Sequence, residues 1–136
     1  TRFTRDEQLT MMSLWSIFRS PLIFGGELRD NDEWTLSLLT NREVLRMHRE
    51  SRGAKEALRQ DDLIVWTADH PEGFNYAAVF NVGESALPLE LPLEQIGLSG
   101  ISSGTELWSE APAELTAAGE LRTTIPPHGV RLYRLE

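Results

Sequence analysis

The side chains able to do chemistry in this sequence are few and scattered. There is no cysteine, which excludes a thiol nucleophile, a zinc-thiolate centre and a disulfide framework. The histidines His48, His70 and His128 stand far apart, without the HExxH spacing that sets two imidazoles on one helical face. They read as surface or structural residues, and no metal is expected. Carboxylates do cluster, at Asp6-Glu7, Asp30-Asn31-Asp32-Glu33 and Asp61-Asp62. The first two sit at helix starts, where free backbone N–H groups and the helix dipole favour negative charge. Capping or turn formation accounts for each cluster. No G-x-S-x-G elbow, P-loop or G-x-G-x-x-G fingerprint is present, and no cofactor is expected. Trp66, Phe74, Tyr76, Phe80 and Trp108 are large enough to stack on a sugar ring, but at strand spacing such residues more often fill a core.

The elements that would position these residues change character along the chain. Thr4 and Glu7 have the spacing of a capping box. The apolar residues Met11, Met12, Leu14, Trp15, Ile17 and Phe18 behind them predict a heavily buried helix. Ser20-Pro21 ends it. Leu22-Ile23-Phe24, closed by Gly25-Gly26, reads as a short strand buried on both faces. A second helix fits from about Asn31 to Leu39. Thr40 and Glu43 repeat the capping-box spacing and open a short helix through Met47, with Gly53 as its expected stop. Helix, buried strand and helix are the grammar of an α/β protein.

From Leu63 the period becomes two. Leu63 to Trp66 forms one apolar run, Asp69-His70-Pro71-Glu72-Gly73 a turn, and Phe74, Tyr76, Ala78, Phe80 and Val82 alternate along a second strand. Leu87, Leu89, Leu91 and Leu93 alternate with Pro88, Glu90, Pro92 and Glu94, and the prolines mark an edge strand. Glu106 to Trp108, Leu121 to Ile125 and Val130 to Leu135 bring the expected number to about six, in an antiparallel sandwich or partial barrel.

Charge divides the chain at the same place. Of the 13 Lys+Arg and 21 Asp+Glu residues, residues 1–60 carry ten and nine, and residues 61–136 carry three and twelve. An acidic second half disfavours nucleic acid and anionic membrane as partners, since both need a basic face. No apolar run approaches the roughly 18 residues of a membrane span, and the chain is read as soluble. Thr1 is not a methionine, so a natural start is expected upstream, and the compartment stays open.

Two stretches carry a resemblance. Asp6-Glu7-Gln8, Leu14-Trp15, Ser20-Pro21-Leu22 and Leu28-Arg29, followed by Leu38-Leu39-Thr40-Asn41-Arg42-Glu43-Val44, resemble the end of the catalytic barrel of glycoside hydrolase family 27. That family contains α-galactosidases and α-N-acetylgalactosaminidases. Ile64-Val65-Trp66 through Ala77-Ala78-Val79-Phe80-Asn81 is similar to the first hairpin of the family's C-terminal β-domain. Ile125-Pro126-Pro127-His128-Gly129-Val130, with Leu132 and Leu135, is similar to its last strand pair.

The resemblance implies a fold of α/β plus all-β class: residues 1–60 as the last βα portion of a TIM (β/α)8 barrel, then residues 61–136 as an antiparallel Greek-key β-sandwich. It implies that Gly25, Gly26 and Glu27 border the sugar pocket, which lies at the C-terminal ends of barrel strands; a plain βα-loop glycine pair is the competing reading. It also implies the C-terminal part of a retaining α-galactosidase-like enzyme acting on terminal α-linked galactosides. The two aspartates of its double displacement lie upstream, so no catalytic residue falls in this chain and the chain alone is expected to be inactive. The rival is a non-catalytic β-sandwich accessory or carbohydrate-binding module. The expected cover for residues 1–60 is the rest of the barrel, a second copy in a homo-oligomer, or the β-domain itself. Two departures from the family pattern stand out. Glu27 replaces its usual aspartate, and His48-Arg49-Glu50-Ser51-Arg52-Gly53 stands where many members read Asn-Gln-Asp-Pro-Leu-Gly. Both leave the sugar preference open.

Overall fold

A computed structural model describes residues 49–136 together with Glu7, Arg46 and Met47. Expectations on other positions, among them the strand Leu22–Phe24, the helix from Asn31, His48 and the residues Gly25, Gly26 and Glu27, lie outside the described residues. Arg46, Met47, Arg49 and Glu50 are helical, as is Glu7. The helix ends at Glu50, before the expected stop at Gly53, and the Ser51 N–H closes its last turn on the Met47 carbonyl at 3.0 Å.

Eight strands follow: β1 (Arg52–Gln60), β2 (Leu63–Asp69), β3 (Asn75–Asn81), β4 (Leu87–Pro92), β5 (Gly104–Glu106), β6 (Glu114–Leu115), β7 (Glu120–Ile125) and β8 (Val130–Leu135). They form an antiparallel β-sandwich. One sheet has the order β1-β2-β3-β8-β5 and the other the order β4-β7-β6. The chain crosses between sheets four times, from β3 to β4, β4 to β5, β5 to β6 and β7 to β8. The resulting non-sequential neighbours, β3 beside β8 and β4 beside β7, are of the Greek-key type.

β1 was not anticipated. Its residues, Arg-Gly-Ala-Lys-Glu-Ala-Leu-Arg-Gln, hold no β-branched or aromatic side chain. Pairing with β2, from Arg52 opposite Asp69 to Gln60 opposite Leu63, overrides that weak propensity. Two register shifts break the pairing, and the one between Glu56 and Leu58 turns both Ala57 and Leu58 toward the sandwich interior. The charge change at Asp61 therefore falls in the β1–β2 hairpin turn, where Asp61 takes φ +54°, and the sheet already begins at Arg52.

The sandwich interior is aliphatic. Leu63 and Val65 of β2, Ala77 and Val79 of β3, and Tyr133 and Leu135 of β8 pack on Leu91, Leu121 and Ile125 of the smaller sheet. Leu93 and Ile96, in a 3₁₀ turn, close one border of it. Full burial of each such side chain contributes about 1.5–3 kcal/mol. β4 is an edge strand, hydrogen-bonded only to β7, with Pro88 exposed and Leu91 buried. At one end Asn81 joins the layers: its Nδ2 donates to the carbonyls of Ser85, Ile125 and Pro126, and its Oδ1 accepts from the Gly83 N–H. A Cβ at Gly83 would lie 2.4 Å from the Asp62 carboxylate, so any larger residue there requires that side chain to swing away.

The five-stranded sheet is buried on its other face too. Tyr76, Ala78 and Phe80 of β3, Ala68 of β2, and Val130 and Leu132 of β8 form a second cluster with Phe74, Leu107 and Met47. Ile64, Trp66, Ala54 and Trp108 pack partly against it. Met47, in the helix preceding β1, is 0% exposed.

Candidate functional site

The aromatic residues suggested as a sugar platform belong to this outer cluster. Phe74, Tyr76 and Phe80 are buried in it, and Trp66 and Trp108 are half-buried against it. The rings of Phe74, Tyr76 and Phe80 are committed to packing. Among the described residues, no group of three or more His, Asp or Glu side chains is arranged to hold a metal. No described helix is long and apolar enough to cross a membrane. Gly25, Gly26 and Glu27, the expected pocket border, lie outside the described residues.

His70 and His128 mark opposite ends of the outer face. His128 occupies the β7–β8 turn with φ +55°. Its Nε2 lies 3.0 Å from Glu84 Oε1, and its Nδ1 lies 3.6 Å from Glu7 Oε2. The hydrogen bond and charge of Glu84, with a smaller contribution from Glu7, raise its pKa above 6.5 against an opposing effect of desolvation.

His70 anchors the β2–β3 turn. Its N–H bonds the Phe74 carbonyl at 3.0 Å, and Gly73, at φ +98°, returns its N–H to the His70 carbonyl at 2.9 Å. The imidazole stacks on Phe74 with ring centres 4.2 Å apart and planes at 11°, and Tyr76 meets both rings edge-on. The guanidinium of Arg134 lies 3.9 Å from the centre of the Phe74 ring and that of Arg46 5.3 Å. Both distances are in cation–π range. The Glu72 N–H donates to His70 Nδ1 at 3.0 Å, and in the neutral ring this assigns the hydrogen to Nε2.

His70 helps line a cleft of about 480 Å³, with Arg46, Arg49, Glu50, Arg52, Pro71 and Glu72. The last helical turn and the start of β1 supply one wall, and the β2–β3 turn supplies the other. Arg46 ties them together: its Nε donates to Glu50 at 2.9 Å and its Nη2 to the Glu72 carboxylate. Desolvation, the largest single influence on Glu50, pushes its carboxyl pKa up; the hydrogen bond and charge of Arg46, with His70 beside it, outweigh that and hold it below 4.5. The cleft offers guanidinium and imidazole donors next to carboxylate acceptors. It contains no nucleophile–base pair of the catalytic kind. Sequence reasoning read 69–73 as a turn and 46–53 as a helix end without joining them, because only the tertiary fold brings the two together.

With this geometry in view, the chain can be compared with known proteins. The family description "Alpha galactosidase C-terminal beta sandwich domain" matches residues 60–135. The chain belongs to this family. Together with the relatives below, the match makes this a C-terminal family 27 piece; the matched residues take in β2–β8, and β1, but for Gln60, precedes them. A GH27 β-L-arabinopyranosidase from Geobacillus stearothermophilus superposes with a TM-score of 0.91 and 45% identity, over 100% of this chain and 31% of that one. Alpha-galactosidase 2 from Arabidopsis thaliana is 26% identical over 97% of this chain and 34% of its own length. Alpha-galactosidase I from Mortierella vinacea shares the fold alone, with a TM-score of 0.86, 19% identity, and coverage of 98% and 36%. The C-terminal domain and the residues before it thus span about a third of each relative.

Proposed function

We propose that this chain is the C-terminal part of a retaining glycosidase that removes terminal α-linked galactose or a sugar of the same ring configuration. The observation that carries the reading is the 45% identity to a family 27 β-L-arabinopyranosidase along the whole chain, including the residues before the β-domain. The α-D-galactopyranosyl and β-L-arabinopyranosyl rings share their hydroxyl configuration and differ by one hydroxymethyl group. One pocket shape therefore serves both, and the choice between them rests on contacts around that group.

In this reading the residues before Arg52, where β1 begins to pair, supply the last βα portion of the catalytic barrel. Gly25, Gly26 and Glu27 border its sugar pocket. The nucleophilic aspartate and the acid–base aspartate of the double displacement come from strands preceding Thr1. The apolar outer face of the five-stranded sheet supports the reading: Tyr76, Ala78, Phe80 and Leu132 are buried there in one cluster with Met47, so the β-domain packs on residues from before β1.

The test is hydrolysis of nitrophenyl α-D-galactopyranoside and β-L-arabinopyranoside by the intact glycosidase containing this chain, with the 136-residue chain assayed beside it. Turnover by the former and none by the latter is expected. Turnover by the isolated chain, or none of either substrate by the intact protein, overturns the proposal. Within the intact enzyme, Glu27→Asp is expected to change the ratio of the two kcat/KM values.

A further inference from the structure

We infer that the cleft between the last helical turn and the β2–β3 turn is a second site for a neutral polyhydroxylated ligand, a sugar, apart from the catalytic pocket. The sugar class rests on the glycosidase reading; the hydroxyl chemistry rests on the cleft. A hydroxyl group both donates and accepts, so its site needs a donor and an acceptor that can reach one oxygen. His70 Nε2 and Glu50 Oε2 are such a pair. The imidazole side chain is 2% exposed and its Nε2 has no hydrogen-bond partner. Glu50 Oε2 stands 3.6 Å away, too far for a hydrogen bond, and an outward swing of that carboxylate would open room for one hydroxyl oxygen to accept from Nε2–H and donate to the carboxylate. Glu50 is 43% exposed in its side chain, so it can swing to admit that oxygen. A buried donor left unsatisfied is destabilising, and a ligand hydroxyl relieves it.

The surroundings fit a neutral ligand better than an anion. Glu50 and Glu72 face the same space as Arg46, Arg49 and Arg52, and Asp69 is paired in register with Arg52. Three guanidinium groups meet two carboxylates, and Arg46 is already bonded to both carboxylates, which gives alternating donors and acceptors for a run of hydroxyls and weakens the field for a phosphate. A volume of about 480 Å³ is within the range of small-ligand sites. Pro71, at the turn, supplies the apolar contact that a pyranose ring's C–H face seeks.

The test is a ¹⁵N and imidazole NMR titration of the full chain with D-galactose, L-arabinose and, separately, inorganic phosphate. Saturable shifts at the Glu72 and Gly73 amides and at the His70 ring are expected with a sugar, in the millimolar range of weak binding. Glu50→Ala, which removes the acceptor, is expected to weaken binding at least about tenfold. Glu72→Ala, on an exposed side chain, serves as a second variant if the first disturbs the fold, which the same spectrum reports. No shifts up to about 100 mM sugar, shifts with phosphate in place of sugar, or unchanged affinity in both variants would overturn the inference. Activity of the intact glycosidase on nitrophenyl sugars is read separately. Turnover without cleft shifts condemns this site alone, and shifts without turnover condemn only the catalytic reading.

Discussion

The inner face of the five-stranded sheet packs aliphatic side chains on a second sheet of the same domain, whereas the outer face gathers aromatic rings around a buried imidazole and is capped by residues from before β1. Leu63, Val65, Val79 and Leu135 find their partners in β4 and β7. Tyr76, Phe80 and Leu132 share their cluster with Met47. Ion pairs hold the outer face at both ends, Arg46 with Glu72 at the β2–β3 turn and Glu7 with His128 at the β7–β8 turn. The inner face makes the sandwich a folded unit. The outer face makes it a unit built to be docked.

The largest test of that contrast is removal of residues 1–50. The sandwich is expected to keep its strands but to self-associate and bind a hydrophobic dye, because an uncovered apolar sheet face is an association surface. Size-exclusion chromatography with dye fluorescence reads this, and a monomeric, dye-silent β-domain would break the comparison. Next comes a matched pair of truncations at fully buried leucines. Leu135→Ala is expected to cost about 2–5 kcal/mol in either context. Leu132→Ala is expected to cost as much in the full chain and far less once residues 1–50 are gone, in urea denaturation of all four proteins. Asn81→Ala, which strips one acceptor and a shared donor from the end of the sandwich, is expected to lose about 1–3 kcal/mol by the same measurement.

The smallest effect separates the two ends of the outer face by pH. His128 has a raised pKa, so its contribution is fully present below 6.5, its ordinary value, and is lost as pH rises through the folded one. Glu50 has a lowered pKa, so its contribution is present above 4.5, its ordinary value, and is lost as pH falls through the folded one. The seat of the outer face is therefore firmest between about pH 4.5 and 6.5. His128→Gln is expected to flatten only the alkaline limb of a melting-temperature profile, and Glu50→Gln only the acid limb. Both groups are solvent-exposed, so the shifts are small and shrink further in high salt.

How much of this could be read from the residues follows from where each signal lies. The alternation of Leu87, Leu89 and Leu91 against Pro88 and Pro92 announced β4, its inward face and its edge position, because all three are properties of one short segment. β2, β3, β7 and β8 declared themselves by similar local patterns. β1 did not, since Arg52–Gln60 has the composition of a solvated segment and becomes a strand only through its partner. β6 is two residues long and carries no pattern at all. The double burial of β3 was available in the unbroken run from Tyr76 to Phe80, but the alternation of its larger side chains drew the reading to one face. The cleft had no local signature. Its walls lie some twenty residues apart in sequence, and His70 in a polar turn looks exposed until the fold stacks it on Phe74.

The margins of the two sheets have a consequence for how this protein tolerates crowding. β4 presents prolines where a neighbouring molecule would seek amide hydrogens. β1 interrupts its rim with two offsets and with Lys55, Glu56 and Arg59. Neither of these rims offers the straight, uncharged ladder that stacking of molecules into fibrils requires, and the other two edges, β5 and β6, are only three and two residues long. Concentrated solutions should therefore fail first through the docking face and amorphous clumping, with ordered filament growth left without a template.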